Sequence, residues 1–332
     1  MLAIGSSESA LETPSAARPG SHGEGHTSAD RAVFSSPLAR STHFTPQGTP
    51  YGRSHSSDHK SKIATINKSF QEGQPAMTKE SVSLMSPARA IDPVARARVD
   101  LAAALRWAAK LGLSEGICNH FSVSLPGPDD RYLINPFGIH WAEMRASQLL
   151  VLDRDGRVVE GSGTVETTAF HIHSRLHRMR PDAVAVLHTH MPYATALTMV
   201  EDGRLAMVHQ NALRFHGAIA YDDAYNGLAL SRDEGDRMAE ALGSARIMFL
   251  ANHGVISLGA DLAQAFDDLY YVERAAELQI LAQSTGRPLR PIADDVARRT
   301  AADFARDRPA YAHAHFEAIK RLLDAEDPSY RD

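Results

Sequence analysis

The chain holds 17 histidines among 332 residues, and the spacing of three of them points to metal chemistry. Imidazole is the commonest metal ligand and titrates near neutrality. In the run Ala183-Val184-Ala185-Val186-Leu187-His188-Thr189-His190, two histidines alternate at the end of an apolar stretch that reads as a strand. Side chains two apart on a strand share a face, and Pro192 closes the stretch. A same-face pair at a strand end suits a divalent cation such as zinc, manganese or iron, with nitrogens at roughly 2.0–2.2 Å. On its own such a pair is a weak signal, since most are structural. A second apolar run, Met248 to Ala251, strengthens it by ending in Asn252-His253-Gly254. Gly254 permits a close turn, and Asn252 is placed to orient a ligand. Ligands in α/β proteins gather beyond the carboxyl ends of strands. His188, His190 and His253 would make a three-nitrogen site with positions open to substrate or water, as catalytic metals need.

Other candidates surround these. His173 and His177 are four apart on a helix expected over 167–179; the expected arrangement is one buried and one at the surface, with His171 off that face. Glu166, just before this helix, is a candidate general base, although an acidic residue there also complements the helix dipole. Asn119 and His120 lie between a helix and a strand, where they could reach an anionic substrate, although a turn is an equal reason for Asn119. The loop Asn135-Pro136-Phe137-Gly138 follows a strand, so its backbone amides could cradle a carboxylate. Cys118 has no basic neighbour to activate it and reads as a small core residue rather than a nucleophile. The chain has no GxSxG, no P-loop and no GxGxxG-plus-acid arrangement, which removes serine hydrolase, NTPase and dinucleotide-dehydrogenase readings.

The elements that must carry these residues follow from periodicity. Asp92-Pro93 is a helix start, and Val94, Leu101, Leu105 and Ala108 fall at helical spacing up to a C′ glycine at Gly112. Phe121, Val123 and Leu125 alternate with serines, a strand signal; Tyr132 to Ile134 resumes a strand after a turn. Leu149 to Asp153, Asp155-Gly156 and the valines after it read as a hairpin. The second half alternates helix and strand: helices over 167–179, 193–199, 232–242, 261–283 and about 292–325, with strands over 183–190, 246–251 and 255–258. Hairpins early and βα alternation later imply one layered α/β domain with helices on both faces of a mixed sheet.

The first ninety residues differ. Ser, Gly, Pro, Thr and His dominate, and apolar residues follow neither period. Such a segment cannot bury enough surface to offset ordering entropy, so residues 1–90 are expected to be a disordered extension and 91–330 the folded domain. The histidines of the extension read as solvated. The balance of 35 basic against 40 acidic residues, net −5, argues against nucleic acid or an anionic membrane as partner. No stretch approaches the roughly 18 apolar residues of a transmembrane helix, so a cytoplasmic protein acting on a small molecule is expected. The single cysteine removes an intrachain disulfide framework.

Taken together, Asn119-His120-Phe121-Ser122-Val123, Leu133-Ile134-Asn135-Pro136-Phe137-Gly138, Phe170-His171-Ile172-His173, Arg180 through His190, and Asn252-His253-Gly254-Val255 occur in the order and spacing of the class II aldolase/adducin family, which the chain resembles over about residues 92–285. The resemblance implies a three-layer α/β/α sandwich with a central mixed, mainly antiparallel sheet. It also implies a homotetramer with sites at subunit interfaces, and one divalent metal (zinc, manganese or iron) held by His188, His190 and His253. Departures matter too. The aldolases' acid/base glutamate aligns with Ala169, with Glu166 one turn away, and their tyrosine proton donor aligns with Gln210. In their phosphate loop Phe137 replaces a hydroxyl, while Thr167 and Thr168 keep part of an anion site. The pattern resembles the decarboxylase-like and adducin-like branch. A metal-dependent carbon–carbon lyase is the expected activity, decarboxylase before aldolase, on a small hydroxy- or keto-carboxylate. His173, His120 or Glu166 would return the proton, and Asn119, Asn135, Gly138, Thr167 and Thr168 would bind substrate. The alternatives are an adducin-like interaction module without chemistry and an iron(II) oxygenase on the same fold.

Overall fold

The helix start expected at Asp92 is present: its carboxylate accepts a hydrogen bond from the Val94 N–H at 3.1 Å, Pro93 occupies the first helical position, and Gly112 closes the helix with φ +69°. The computed structural model describes residues 92–332; the extension expected over residues 1–90 lies outside them. Among the described residues the chain runs α1 (Pro93–Lys110), β1 (His120–Ser124), β2 (Tyr132–Ile134), β3 (Leu150–Leu152), β4 (Val158–Glu160), α2 (Thr167–Met179), β5 (Ala185–Thr189), α3 (Pro192–Thr198), β6 (Ile219–Asp222), α4 (Arg232–Leu242), β7 (Ile247–Leu250), β8 (Gly254–Gly259), α5 (Leu262–Gln283) and α6 (Asp294–Glu326).

The strands form one sheet in the order β4-β3-β2-β1-β5-β8-β7-β6. Every pair is antiparallel except β6 with β7. Helices α1, α5 and α6 cover one face through a continuous apolar cluster that takes Phe121 and Val123 from β1, Leu187 from β5 and Phe249 from β7. The other face packs Ile172 and Leu176 of α2, and Met238 and Leu242 of α4, onto Val186, Met248 and Ile256. A separate small cluster, Tyr132, Ile134, Leu150 and Leu152, lies under Ala169. The result is the expected three-layer sandwich on a mixed, mainly antiparallel sheet.

One strand goes unread in the sequence, and one expected core residue is not in the core. Strand β6 has no sequence signature: it is four residues long at the sheet edge, and Ile219-Ala220-Tyr221 is only half-buried, so no alternation marks it. Cys118 is exposed and not a core residue; it sits in the turn before β1, where the chain has not yet entered the sheet.

Candidate metal centre

Strand β1 sorts its side chains by parity. Phe121 and Val123 enter the apolar cluster, while His120 and Ser122, aligned with His188 and Val186 of β5, face α2. This places a polar strip between the two apolar clusters on that face. His188 stands at the same level of β5, 1% exposed, and His190 follows just past the strand end. Pro192 cannot continue the ladder and starts α3, whose first free amides, Tyr193 N–H and Ala194 N–H, donate to the buried Glu273 carboxylate at 2.9 and 2.8 Å. That bond anchors the turn in which His190 sits.

His253 comes from the tight β7–β8 turn. Asn252 adopts φ +55°, a left-handed conformation that asparagine tolerates better than most residues; its role is in the turn, and its side chain is exposed. At Gly254 a Cβ would stand 2.6 Å from the Thr189 carbonyl and 2.8 Å from the His190 ring. Only glycine lets the two strand ends approach this closely.

The three rings converge. Centroids are 5.0 Å apart for His188–His190, 4.8 Å for His188–His253 and 4.9 Å for His190–His253. One ligand nitrogen from each lies within 4.8 Å of the others. The donor chemistry fits a cation. His188 Nδ1 lies 3.1 Å from the Val255 carbonyl, which can only accept, so Nδ1 carries the proton and Nε2 a lone pair. His190 Nδ1 lies 2.5 Å from the Glu115 carboxylate, with the same consequence. The two Nε2 atoms then face each other at 3.2 Å. A proton on one of them, or a divalent cation between them, removes the repulsion of opposed lone pairs. Two nitrogens at about 2.05 Å from a tetrahedral zinc-type ion would be separated by about 3.3 Å. Burial, then the neighbouring His190, lowers His253 to about 4, and burial followed by the adjacent histidines holds His188 well below its ordinary value. Both are neutral at physiological pH, the form that ligates.

Behind this centre runs a chain of hydrogen bonds. His120 Nδ1 meets His173 Nε2 at 2.7 Å, His173 Nδ1 meets Ser122 Oγ at 2.5 Å, Ser122 Oγ meets His177 Nε2 at 2.7 Å, and His177 Nδ1 meets Ser124 Oγ at 2.8 Å and the Ala183 carbonyl at 3.2 Å. The carbonyl fixes the direction. His177 donates from Nδ1, so its Nε2 accepts from Ser122. The single Ser122 proton is then spent, and His173 donates to that oxygen. His173 Nε2 therefore accepts from His120 Nδ1–H. His120 is left with an unprotonated Nε2, 3.8 Å from Glu166 Oε2 and on the side of His188, whose ring centroid is 4.9 Å from its own. Burial first, then neighbouring imidazoles, keeps His120 and His173 neutral, and burial lowers His177 to about 4.

The expected site residues divide. His120 and Glu166 border the centre, with Glu166 capping α2 through the Ala169 N–H at 3.1 Å and accepting from the Thr168 hydroxyl. His173 is 0% exposed with both nitrogens engaged; it holds His120 and does not border open space. His177 is likewise turned inward, so the expected split of His173 and His177 into one buried and one surface residue fails. Asn135 spends its amide internally, accepting from Phe121 N–H and donating to the Asn119 carbonyl, and Phe137 N–H donates to Thr164. The expected amide cradle is thus largely used by the fold, leaving Gly138 with open space around it. Asn119 accepts from Glu115 N–H, while its own Nδ2 is buried without a partner among the described residues. Thr167 is exposed. Sequence reasoning misses Glu115, which holds His190 across 75 positions with no periodic signal. It also misses Ser122 and Ser124, whose alternation with Phe121 and Val123 places them on the His120 face.

A layered α/β sandwich with three convergent histidines near its strand ends is the architecture to set beside known proteins. Residues 99–280 match the Class II Aldolase and Adducin N-terminal domain, and the chain belongs to that family. It is 34% identical over 239 residues to a putative aldolase class 2 protein of Caulobacter vibrioides, covering 71% of this chain and 92% of that one. It is 33% identical over 201 residues to the decarboxylase NovR of Streptomyces niveus, covering 60% and 74%. Among solved structures, an aldolase II superfamily protein from Pseudomonas syringae superposes with a TM-score of 0.69 at 34% identity, covering 73% of this chain and 98% of that one.

Proposed function

We propose that the protein is a metal-dependent carbon–carbon lyase, decarboxylase before aldolase, acting on a small hydroxy- or keto-carboxylate. The observation that carries the reading is the convergence of His188, His190 and His253, with one ligand nitrogen from each within 4.8 Å of the others. A divalent cation bound by the three imidazoles, zinc, manganese or iron, supplies Lewis acidity to the oxygens beside the bond that breaks. The chain's own residues handle the proton. His120 presents an unprotonated Nε2, so it first takes a proton, from a substrate hydroxyl or from water, and then returns it to the carbon that keeps the bonding electrons. Glu166, 3.8 Å from that nitrogen, stabilises the imidazolium while it lasts. His173, held by Ser122, keeps the ring aimed and its Nδ1 protonated. Asn119, through its unpartnered Nδ2, Gly138 and the Thr167–Thr168 turn would take the substrate's anionic group; Asn135 would hold Asn119 in place. Decarboxylation asks less of protein acid/base groups than aldol cleavage, which agrees with Ala169 and Gln210 at the positions of the aldolases' glutamate and tyrosine. The similarity to a protein named a decarboxylase supports the same choice.

We also propose a homotetramer with sites at subunit boundaries. Leu228 and Leu230 are 70% and 57% exposed on the segment that approaches His253. Met199 and Val200 are 67% and 61% exposed beside Asn252. Apolar patches of this kind mark interfaces.

The test is an anaerobic screen of hydroxy- and keto-carboxylates with manganese, zinc and iron(II) supplied in turn. The account expects carbon dioxide or aldehyde release without oxygen, abolished in His188→Ala and strongly reduced in His120→Ala. Turnover that requires oxygen would make the protein an oxygenase. Stable folding with neither turnover nor stoichiometric metal would make it an interaction module.

A further inference from the structure

The β1–β2 hairpin, the turn between β3 and β4, and α2 enclose a cavity of about 680 Å³ that none of the three convergent histidines lines. Its walls are strongly basic. Arg131, Arg154, Arg175, Arg178 and Arg232 line it, against two carboxylates, Asp130 and Asp155. Arg131 and Arg175 already pair with Asp129 and Asp236. Arg154, Arg178 and Arg232 have no carboxylate within 4.0 Å among the described residues. The wall also includes a phenol ring closed off from solvent, Tyr132. It lines the same cavity, is 2% exposed, and its hydroxyl is buried with no hydrogen-bond partner among the described residues. Burial, with Asp153 adding to it, raises this phenol above its ordinary range, so it stays protonated and is a hydrogen-bond donor.

The occupant's chemistry follows from the walls. An apolar molecule would leave three guanidinium groups unanswered, and a cation would be repelled. Guanidinium forks match the oxygens of phosphate in two-point contacts. The volume lies in the range of small-molecule and cofactor sites. Phe170 gives one aromatic wall, and its ring occupies the space a Cβ on Gly156 would need, 2.4 Å away. Glycine there lets the β3–β4 turn close against α2.

We propose that this cavity binds a small phosphate-bearing molecule, at a site distinct from the metal centre. The experiment is calorimetric titration of the full chain with inorganic phosphate at low salt, in the wild type, Arg178→Ala/Arg232→Ala, Tyr132→Phe and His188→Ala. Both arginines are exposed, so the double variant keeps its thermal transition. Tyr132→Phe removes an unpartnered hydroxyl and unfolds no earlier than the wild type when phosphate is absent. Saturable binding at one equivalent is expected, weakened at least about tenfold by the arginine pair, and unchanged by Tyr132→Phe, whose hydroxyl is closed off from the cavity, or by His188→Ala. Absence of saturable binding in the wild type would overturn the proposal. So would binding that survives the arginine pair or disappears in His188→Ala, since either places the anion elsewhere.

Discussion

The two faces of the sheet are built by opposite rules. Under α1, α5 and α6 the face is continuously apolar, and Phe121, packed 4.5 Å centroid to centroid against Trp141, is fully buried there. Under α2 the apolar surface splits into two clusters, and between them lies the strip His120, Ser122, Ser124 with His173 and His177 above it. One strand, β1, feeds both. The first face supplies stability through burial; the second accepts the desolvation of several imidazoles because each finds a partner. Buried polar groups of this kind specify geometry when fully satisfied and are costly when one member is lost.

The largest contrast comes from neighbouring residues. Phe121→Ala should destabilise by about 3–5 kcal/mol, read as a shift in the urea midpoint, while the protein that remains folded keeps its capacity to bind cobalt(II). Ser122→Ala should destabilise less, by about 1–3 kcal/mol, because it strands one nitrogen each on His173 and His177. It should also lower turnover without releasing metal, since His120 loses its fixed tautomer. Equal effects of the two variants on both readouts would erase the distinction between the faces.

A smaller effect is pH dependence. His177 touches none of the three convergent imidazoles, and burial lowers it in the folded state to about 4, against about 6.5 unfolded. Between those values the unfolded chain binds more protons, so stability rises with pH. This contribution is complete above about pH 6.5 and is lost as the pH falls toward 4, by at most about 1.4 kcal/mol per pH unit. The other buried imidazoles add to the slope, so urea midpoints measured from pH 7 to pH 4.5 should fall more steeply than one group allows, and the slope should shrink by up to that amount in His177→Gln. The smallest effect belongs to a surface pair: Arg298 and Asp294, both 65% exposed, should contribute under about 0.5 kcal/mol, and Arg298→Ala should leave the midpoint within error.

Much of this contrast is legible in the sequence. Period 2 in Phe121-Ser122-Val123 and in Leu187-His188-Thr189-His190 tells which residues share a face, and Asp92-Pro93 marks the first helix start. Period says nothing about what stands opposite. Glu115 on His190, the Ala183 carbonyl that sets the direction of the Ser–His chain, and the inward turn of His177 are contacts across elements, and only the folded chain creates them. The Asn135 loop shows the reverse case: its residues suggest an anion cradle, yet the fold uses their amides to hold the start of β1. β6 is invisible for a third reason, since a short, half-buried edge strand needs no alternation.

The measurement that tests the central claim most directly is titration of metal-free protein with cobalt(II), followed by its ligand-field absorption. One equivalent should bind with a nitrogen-ligand spectrum, and His188→Ala, His190→Ala and His253→Ala should each abolish it while the thermal transition persists. A spectrum that survives any of these three substitutions, or no binding at all in the wild type, would contradict a cation held by the three imidazoles.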